Sequence, residues 1–279
     1  MTGAVRHIEI MKITDSTIES KPDLLAIEEP LEIRIGFGAL QDRQQRSLSV
    51  TMRTPGHDFE LAVGFLFTEG IIHVFDQIES VKHCEDAGKQ EQRENIVRVE
   101  LKPGVQLDFE KLQRHFYTIS SCGVCGKTSI DAVKVTIPSH TDSFRMNAST
   151  LHTLPEKLKN AQHVFEHTGS LHASALFDET GDLILLREDV GRHNALDKII
   201  GTKLFKKDIP LTKYALLVSG RASFELVQKA AVAGIPLLAA VGAPSSLAVQ
   251  LAKEVNMTLL GFVREQRFNI YCGESRVTL

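Results

Sequence analysis

The sequence predicts an α/β protein with a smaller N-terminal α+β part, and two patterns support this prediction. In the last third of the chain, three short apolar runs alternate with two amphipathic segments. Parallel strands joined by crossover helices produce this pattern. Near the N-terminus, apolar and polar residues alternate as they do in half-exposed antiparallel strands. The chain has 279 residues, of which 43% are hydrophobic, which corresponds to about one or two domains with a substantial core.

The N-terminal part is predicted to contain a small sheet and one helix. Residues 1–25 are polar and weakly patterned, so we expect a tail or a loosely attached edge segment. Apolar residues at helical spacing predict a helix from Phe59 to Leu66, which Gly70 closes. The alternating segments predict strands at 31–36, 47–52 and 95–101, the last of which returns to the first sheet.

The main α/β domain is predicted over 131–279, after the smaller part over 26–115 and a mobile loop over 116–130. A polar stretch at 147–159 has no assigned element, and 183–187 is strand-like. A helix is predicted from Asn194, its N-cap, to Ile200, with Gly201 ending it. The last third supplies strands at 214–219, 235–241 and 257–263 and helices at 224–233 and 246–255.

Charge and composition exclude several classes of protein. Lysine and arginine number 32 against 35 aspartate and glutamate, a net charge of −3, whereas a duplex-binding protein needs a basic face. No apolar run reaches the roughly 18–20 residues that span a bilayer, and the start of the chain lacks the apolar core of a signal peptide. The four cysteines are too few and scattered for a secreted disulfide scaffold. We therefore expect a cytoplasmic protein that binds neither nucleic acid nor membrane.

The sequence SSCGVCGK at 120–127 is the sharpest chemical motif. Cys122 and Cys125 are three residues apart, so they could share a metal, form a redox pair or pass sulfur between them. The glycines favour a mobile and accessible loop, and Lys127 favours the reactive thiolate. A structural zinc site needs four ligands, and the chain contains a single C-x-x-C pair. Zinc binding and redox exchange stay open on this evidence.

A fragment of a zinc deaminase motif occurs at His172 to Ser174. Those enzymes use H-x-E followed by P-C-x-x-C, with the glutamate as proton shuttle. Here Ser174 occupies the glutamate position and no C-x-x-C follows it. Hydrolytic deamination is therefore excluded, although the fold could still be shared.

Three polar turns follow predicted strands, at 188–194, 219–223 and 242–246. Helix N-termini at such turns offer free N–H groups that suit phosphate, and ligands of α/β proteins bind at the carboxyl ends of strands. A helix cap alone explains neither Arg192 nor His193, so we favour a ligand-facing loop there. No dinucleotide-binding or P-loop motif is present, so an ordinary NAD or ATP site is not indicated. The candidate binding residues in these turns are Arg192, His193, Ser219, Gly220 and Arg221.

The end of the last predicted strand is a further candidate. Two arginines could bind a pyrophosphate there, and an aromatic side chain could stack on a base or pterin ring. An exposed edge with ordinary surface arginines explains the pattern equally well. The residues concerned are Phe262, Val263, Arg264, Glu265, Gln266 and Arg267.

These motifs together resemble the FdhD/NarQ family, the formate dehydrogenase accessory sulfur carriers. The resemblance runs in order from about Glu28 to Tyr271. It rests on TPGHDFELAVGFL at 54–66, SCGVCGK at 121–127, REDVGRHNALDK at 187–198, SGRASFE at 219–225, APSSLA at 243–248 and GFVREQRFN at 261–269.

The resemblance implies a sulfurtransferase that accepts persulfide sulfur from a cysteine desulfurase. It implies that Cys122 carries the persulfide and Cys125 assists the relay. The bound substrate would be the bis-molybdopterin guanine dinucleotide form of the molybdenum cofactor, with guanine nucleotide as a partial mimic, held by residues 262–267 and the strand-end turns. The resemblance also implies that the protein is needed for formate dehydrogenase activity, that it is a homodimer and that its main domain is similar to the cytidine-deaminase fold. We expect no metal ligands among its residues. The competing hypothesis is a zinc-binding or redox-sensing C-x-x-C protein without sulfur transfer.

Overall fold

The computed structural model describes residues 3–84, 94–107 and 144–279. Its N-terminal segment is an antiparallel hairpin in which β1 (Val5–Thr14) pairs with β2 (Thr17–Ala26) over ten residue pairs. The sequence predicts a tail or a loosely attached edge segment for residues 1–25, and the structure shows a regular hairpin there instead of an irregular tail. Its apolar residues change face within β1, because Ile10 and Ile13 are an odd number of residues apart. The apolar and polar residues of β1 therefore do not alternate regularly, and the sequence pattern did not predict a strand here.

A four-stranded sheet follows the hairpin, in the order β4-β3-β6-β5. Strands β3 and β4 are antiparallel, as predicted, and β6 returns beside β3, to which it is parallel. Strand β5 was not predicted. Helix α1 packs on this sheet, and its residues include the helix that the sequence predicts from Phe59 to Leu66. The elements are β3 (Glu29–Ala39), β4 (Asp42–Arg53), α1 (Asp58–Thr68), β5 (Ile78–His83) and β6 (Ile96–Leu101).

A six-stranded sheet forms the centre of the molecule, in the order β13-β12-β11-β10-β8-β9. Strands β10, β11 and β12 are parallel, which confirms the prediction from the last third of the sequence. The other strands pair antiparallel, so the sheet is mixed. Its elements are β8 (His172–Phe177), β9 (Leu183–Asp189), β10 (Ala215–Val218), α5 (Phe224–Val232), β11 (Leu237–Ala240), α6 (Ser246–Glu254), β12 (Thr258–Arg264) and β13 (Arg267–Cys272).

A helix occupies the polar stretch at 147–159, for which the sequence predicted no element, and a second, short helix follows it. Helix α2 (Ala148–Ala161) follows the short strand β7 (Met146–Asn147), which pairs with β14 (Val277–Thr278), and α3 (His163–Thr168) comes directly after it. The Asn147 side chain caps α2 by accepting from the Ser149 N–H. Only Leu151, Leu154 and Leu158 of α2 are buried. The helix therefore has a narrow apolar stripe, which gives only a weak helical pattern in the sequence. Its internal Pro155 also argues against a helix at this position.

Helix α4 (Arg192–Phe205) begins earlier and ends later than predicted. Gly191 is its N-cap, and Gly201 lies inside the helix. The glycine has a packing reason, because a Cβ at Gly201 would overlap the backbone carbonyl of Glu60 on α1. In the same way, a Cβ at Gly64 would overlap the carbonyl of Asp197 on α4. These glycines let the two helices cross in backbone contact.

The central sheet is covered on both faces, because alternate residues of its strands enter two hydrophobic clusters. On β10, Leu216 and Val218 join a cluster that also contains α1 and the four-stranded sheet. Ala215 and Leu217 join the cluster beneath α2. The first cluster spans the N-terminal and C-terminal parts of the chain, so they share one core. Within the described residues, no helix is long and apolar enough to cross a membrane.

Candidate functional site

The strand-end turns predicted from the sequence meet at one edge of the central sheet. The Ser219 N–H donates to the Ala173 carbonyl and the Ser219 hydroxyl accepts from the Ala173 N–H, both at 2.9 Å. The Gly242 N–H donates to the Gly220 carbonyl at 2.9 Å, and the Phe262 N–H donates to the Gly242 carbonyl at 3.0 Å. These bonds connect the ends of β10, β11 and β12 to the start of β8. We call this region the strand-end edge.

The turn at 189–194 is held at this edge by a buried carboxylate. Asp189 is 0% exposed. Its Oδ1 accepts from the Gly191 N–H at 2.8 Å and from Asn194 Nδ2 at 3.0 Å. Its Oδ2 accepts from the Thr54 N–H at 3.2 Å and pairs with Lys198 Nζ at 2.7 Å. Asn194, which the sequence predicts as the N-cap of the following helix, instead donates to the Asp189 carboxylate. The N-cap of that helix is Gly191.

Basic and imidazole groups lie just beyond that carboxylate. His193 Nε2 contacts Glu225 Oε2 at 2.9 Å and the Ser223 hydroxyl at 3.2 Å, which connects α4 to the start of α5. Burial lowers the pKa of His172 from its usual 6.5, and the positive charge of Arg192 lowers it further. His172 is therefore a neutral imidazole at neutral pH, able to donate and accept hydrogen bonds.

Phe262 adopts an unusual backbone conformation at the end of β12. Its φ is 53°, in the left-handed region, and its side chain is 38% exposed. The pairing register of β12 with β13 shifts between Gly261 and Arg264, which marks a bulge. A bulky residue in this conformation is strained, and such strain clusters at functional sites. The structure thus leaves the Phe262 ring exposed at the strand-end edge.

Arg264 anchors the rim of the same edge. One of its guanidinium nitrogens, Nη1, donates to the Val241 carbonyl at 2.8 Å and to the Val263 carbonyl at 2.9 Å. The Val263 side chain is buried and its carbonyl accepts from Arg264, so its side chain is not offered to a ligand. The other residues of the predicted stretch, and the predicted arginine after β10, are exposed: Arg221, Glu265, Gln266 and Arg267.

A cavity of about 630 Å³ opens beside this edge, between the central sheet and helices α2 and α3. Its walls are largely apolar, with a few polar groups among them, which is the usual character of a small-molecule site. It is lined by Pro155, Leu158, Lys159, Gln162, Phe165, Gly169, Ser170, Leu171, His172, Val190, Ser219, Val241 and Arg264.

Known proteins resemble this chain over nearly its whole length, and a model of the FdhD/NarQ family matches residues 26–278. The chain belongs to the FdhD/NarQ family. Three relatives, each named sulfur carrier protein FdhD, are 48% identical over 275 residues in Streptomyces avermitilis, 44% over 284 in Mycobacterium tuberculosis and 41% over 273 in Sulfurisphaera tokodaii. The matches cover 97%, 100% and 98% of this chain and 95%, 100% and 99% of the relatives.

A solved structure agrees with the fold. A crystal structure of a formate dehydrogenase accessory protein from Desulfotalea psychrophila matches with a TM-score of 0.76. The match covers 99% of this chain and 100% of that one, at 22% sequence identity. The mixed α/β architecture is thus that of an FdhD/NarQ protein. The hairpin before residue 26 lies outside the matched family region.

Cys122 and Cys125 fall outside the described residues. Cys84 is buried beside Arg34, and Cys272 donates from Sγ to the Met257 carbonyl at 3.3 Å. Burial raises the pKa of the Cys272 thiol, which disfavours its thiolate. Across 3–84, 94–107 and 144–279, no cluster of His, Cys, Asp and Glu has the geometry of a metal site.

Sequence reasoning missed several residues of the strand-end edge and its cavity. Thr54 and Lys198 meet at the Asp189 carboxylate from distant parts of the chain. Both belong to motifs that carry the family resemblance, and that was the signal available for them. Gln162 and Leu171 line the cavity without any such signal, because neither belongs to a recognisable motif.

Proposed function

We propose that this protein is a sulfur carrier required for formate dehydrogenase activity. It accepts persulfide sulfur from a cysteine desulfurase on Cys122 and transfers it to the bis-molybdopterin guanine dinucleotide form of the molybdenum cofactor. The observation that carries this proposal is 41–48% identity, over nearly the whole chain, to relatives named sulfur carrier protein FdhD. The SSCGVCGK sequence supplies the thiols for the transfer.

Loading of Cys122 needs no external oxidant or reductant. Its thiolate attacks the outer sulfur of the desulfurase persulfide, one S–S bond forms as another breaks, and the desulfurase cysteine leaves as a thiolate. Attack by the Cys125 thiolate on the inner sulfur then forms a Cys122–Cys125 disulfide and expels the outer sulfur as hydrosulfide. The two cysteines supply the electrons for this step, and a cellular dithiol reductant reopens the disulfide. This is the relay role we assign to Cys125.

The strand-end edge is the proposed binding site for the cofactor substrate. Its pyrophosphate groups carry negative charge, and α4, α5 and α6 all begin at this edge, where their free N–H groups and dipoles favour anions. Ser219, Gly220 and His193 offer hydrogen bonds beside them. The arginines that offset phosphate charge in this proposal are Arg192, Arg221, Arg264 and Arg267.

The proposal also includes the protein's partners and setting. The sulfur donor is a cysteine desulfurase, the recipient system is formate dehydrogenase, and the carrier acts as a homodimer in the cytoplasm. We further propose that the main domain is related to the cytidine-deaminase fold, because β8 begins with the His172 to Ser174 fragment. Guanine nucleotide should then act as a partial mimic of the cofactor.

The direct test combines the protein with a cysteine desulfurase and cysteine, followed by intact mass measurement without reductant. We expect a species one sulfur atom heavier in the wild type and none in Cys122→Ala. Cys84→Ala is the matched control and should still gain sulfur, because Cys84 is buried. Absence of added sulfur in the wild type, with an active desulfurase, refutes the carrier proposal. One zinc per chain that Cys122→Ala and Cys125→Ala each remove would support the zinc-binding alternative instead.

A further inference from the structure

The four-stranded sheet has one face in the core and an opposite face that carries charged side chains. Leu31, Ile33 and Ile35 of β3 enter the hydrophobic cluster that contains α1. Glu32 and Arg34 lie between them and belong to the opposite face, because successive side chains of a strand alternate. We call this opposite face the outer face. It also carries Arg43, Gln45, Ser47, Val50 and Met52 of β4, Arg98 and Glu100 of β6, and Ser80 and Lys82 of β5.

Three cations lie side by side across the outer face. Arg34 on β3 is opposite Arg98 on β6, and Arg98 is opposite Lys82 on β5. We call these three residues the cation row. Neighbouring strands are about 4.8 Å apart, and like charges directly opposite each other destabilise a sheet. Folding alone does not favour such a row, whereas an anion placed over it interacts favourably with all three charges.

Two carboxylates hold the arginines of the outer face in position. Arg34 makes a two-point contact with Glu32, with Nε–Oε1 at 2.9 Å and Nη2–Oε2 at 2.8 Å. Glu100 pairs with Arg98, from Oε1 to Nε at 2.7 Å, and also with Arg43. A guanidinium that is already ordered loses less conformational entropy when it binds a further carboxylate. The side chains of these five residues are 16–29% exposed, so a partner can reach them from solvent.

The outer face keeps a surplus of two positive charges, although the whole chain has a net charge of −3. The cation row and Arg43 supply four cations, against the carboxylates of Glu32 and Glu100. Lys82 is exposed, and no carboxylate of the described residues forms an ion pair with it. The face is also flat where Glu100 crosses it, because Gly36 beneath has no Cβ to overlap the carboxylate. A flat face with surplus positive charge suits a partner that presents carboxylates.

Two exposed aliphatic side chains lie beside these charges. Val50 and Met52 of β4 are 52% and 46% exposed. Val50 is directly opposite Glu32, so the aliphatic pair is continuous with the ion pairs. Arginine and methionine are enriched at protein–protein interfaces, and arginine is frequent among the residues that supply most of the binding energy.

We propose that the outer face docks an acidic segment of a partner protein, with carboxylates over the cation row and an aliphatic side chain on Val50 and Met52. The basis is charge complementarity beside an exposed apolar contact. A nucleic acid fits less well, because Glu32 and Glu100 lie among the cations and repel phosphate, and aliphatic side chains offer bases no ring for stacking. This docking goes beyond the proposed function and requires neither the cysteine pair nor the strand-end edge.

The test is fluorescence anisotropy of the full chain with a labelled peptide rich in glutamate and leucine, beside a peptide in which lysine replaces glutamate. The wild type should bind the acidic peptide and not the basic one, with an affinity that falls as salt rises. The Lys82→Gln/Arg98→Gln variant should bind the acidic peptide roughly tenfold more weakly. The matched control is Lys12→Gln/Lys253→Gln, which removes the same charge from exposed lysines of β1 and α6 and should bind as the wild type does.

Two further measurements separate docking from a loss of folding or of general charge. Lys82→Gln alone should melt no lower than the wild type, because it removes a like-charge contact with Arg98. Met52→Ser should weaken binding of the acidic peptide without changing its salt dependence, because Met52 contributes apolar contact and no charge.

The inference is overturned if the wild type does not bind the acidic peptide, if Lys82→Gln/Arg98→Gln binds it as tightly as the wild type, or if the control variant loses as much affinity. Tighter binding of a single-stranded oligonucleotide, lost in Lys82→Gln/Arg98→Gln, would assign the face to nucleic acid and would also overturn the inference. Sulfur loading of Cys122 is measured separately, so none of these outcomes changes the test of the carrier proposal.

Discussion

The Asp189 carboxylate provides the most demanding test of how the strand-end edge is held in place. The perturbation is Asp189→Asn, which keeps the shape of the side chain and replaces one oxygen with an NH₂ group. Asp189 has four partners in the part of the chain that the structure describes, and all are donors: two backbone N–H groups, the Asn194 amide and the Lys198 ammonium. Either orientation of the new amide therefore places its NH₂ group against donors.

The magnitude follows from the burial of the pair. The side chains of Asp189 and Lys198 are 0% and 2% exposed, and the other partner of Lys198 among the described residues is the uncharged Thr54 carbonyl. Breaking a buried ion pair from one side costs about 3–5 kcal/mol. That is a large part of the roughly 5–15 kcal/mol that stabilises a typical domain.

The assay is urea denaturation of the wild type, Asp189→Asn, Lys198→Met and the double variant. The double variant should lose less than the sum of the single variants, by about 1–3 kcal/mol, because the pair is removed together. Asp76→Asn is the control, since its partner Lys207 and Asp76 itself are both largely exposed, and its stability should stay that of the wild type. A loss below about 1 kcal/mol for Asp189→Asn would show that this carboxylate does not hold the edge together.

Three further predictions concern single residues. Gly201→Ala should destabilise the protein by about 1–3 kcal/mol in thermal melts, although alanine normally favours a helix, because its Cβ overlaps the Glu60 carbonyl; a stabilised variant contradicts this packing. Phe262→Gly should raise stability by about 1 kcal/mol and weaken GDP binding, whereas Phe262→Ala should weaken binding without that gain. The pKa of His172 is lower in the folded protein than in the unfolded chain, so the unfolded chain takes up a proton at this imidazole first as the pH falls. The free energy of unfolding should therefore decrease below about pH 6.5. His172→Gln should reduce this pH dependence in urea denaturation measured across pH.

The sequence predicted elements well where the signal is local. The runs that became β10 and β11 are apolar at every position because both faces of the central sheet are covered. Helix α2 escaped prediction because only three of its fourteen residues are buried. Gly201 was interpreted as a helix end because the sequence cannot show that α1 crosses α4 at that position. Glycine marks both kinds of place, and only the neighbouring backbone distinguishes them.

The residues of the candidate site also differ in whether a local sequence pattern predicts them. The three polar turns were predictable because each follows its own strand, and parallel strands bring such turns to one edge. Asp189 was within a predicted turn, but its partner Thr54 lies 135 residues away, and no local pattern joins the two. Gln162 depends on the junction between two helices that the sequence did not indicate.

The contacts of the motif at 54–66 show that it holds the distant motif at 187–198 in position. Its first residue gives a backbone N–H to Asp189 and a carbonyl to Lys198, both of which belong to the distant motif at 187–198. Its helix carries Gly64, which meets the backbone of Asp197 in that same motif. Neither contact touches the cavity or the exposed arginines. The two motifs are therefore joined by a structural requirement, since the turn that presents Arg192 and His193 keeps its position only while α1 and α4 stay in backbone contact.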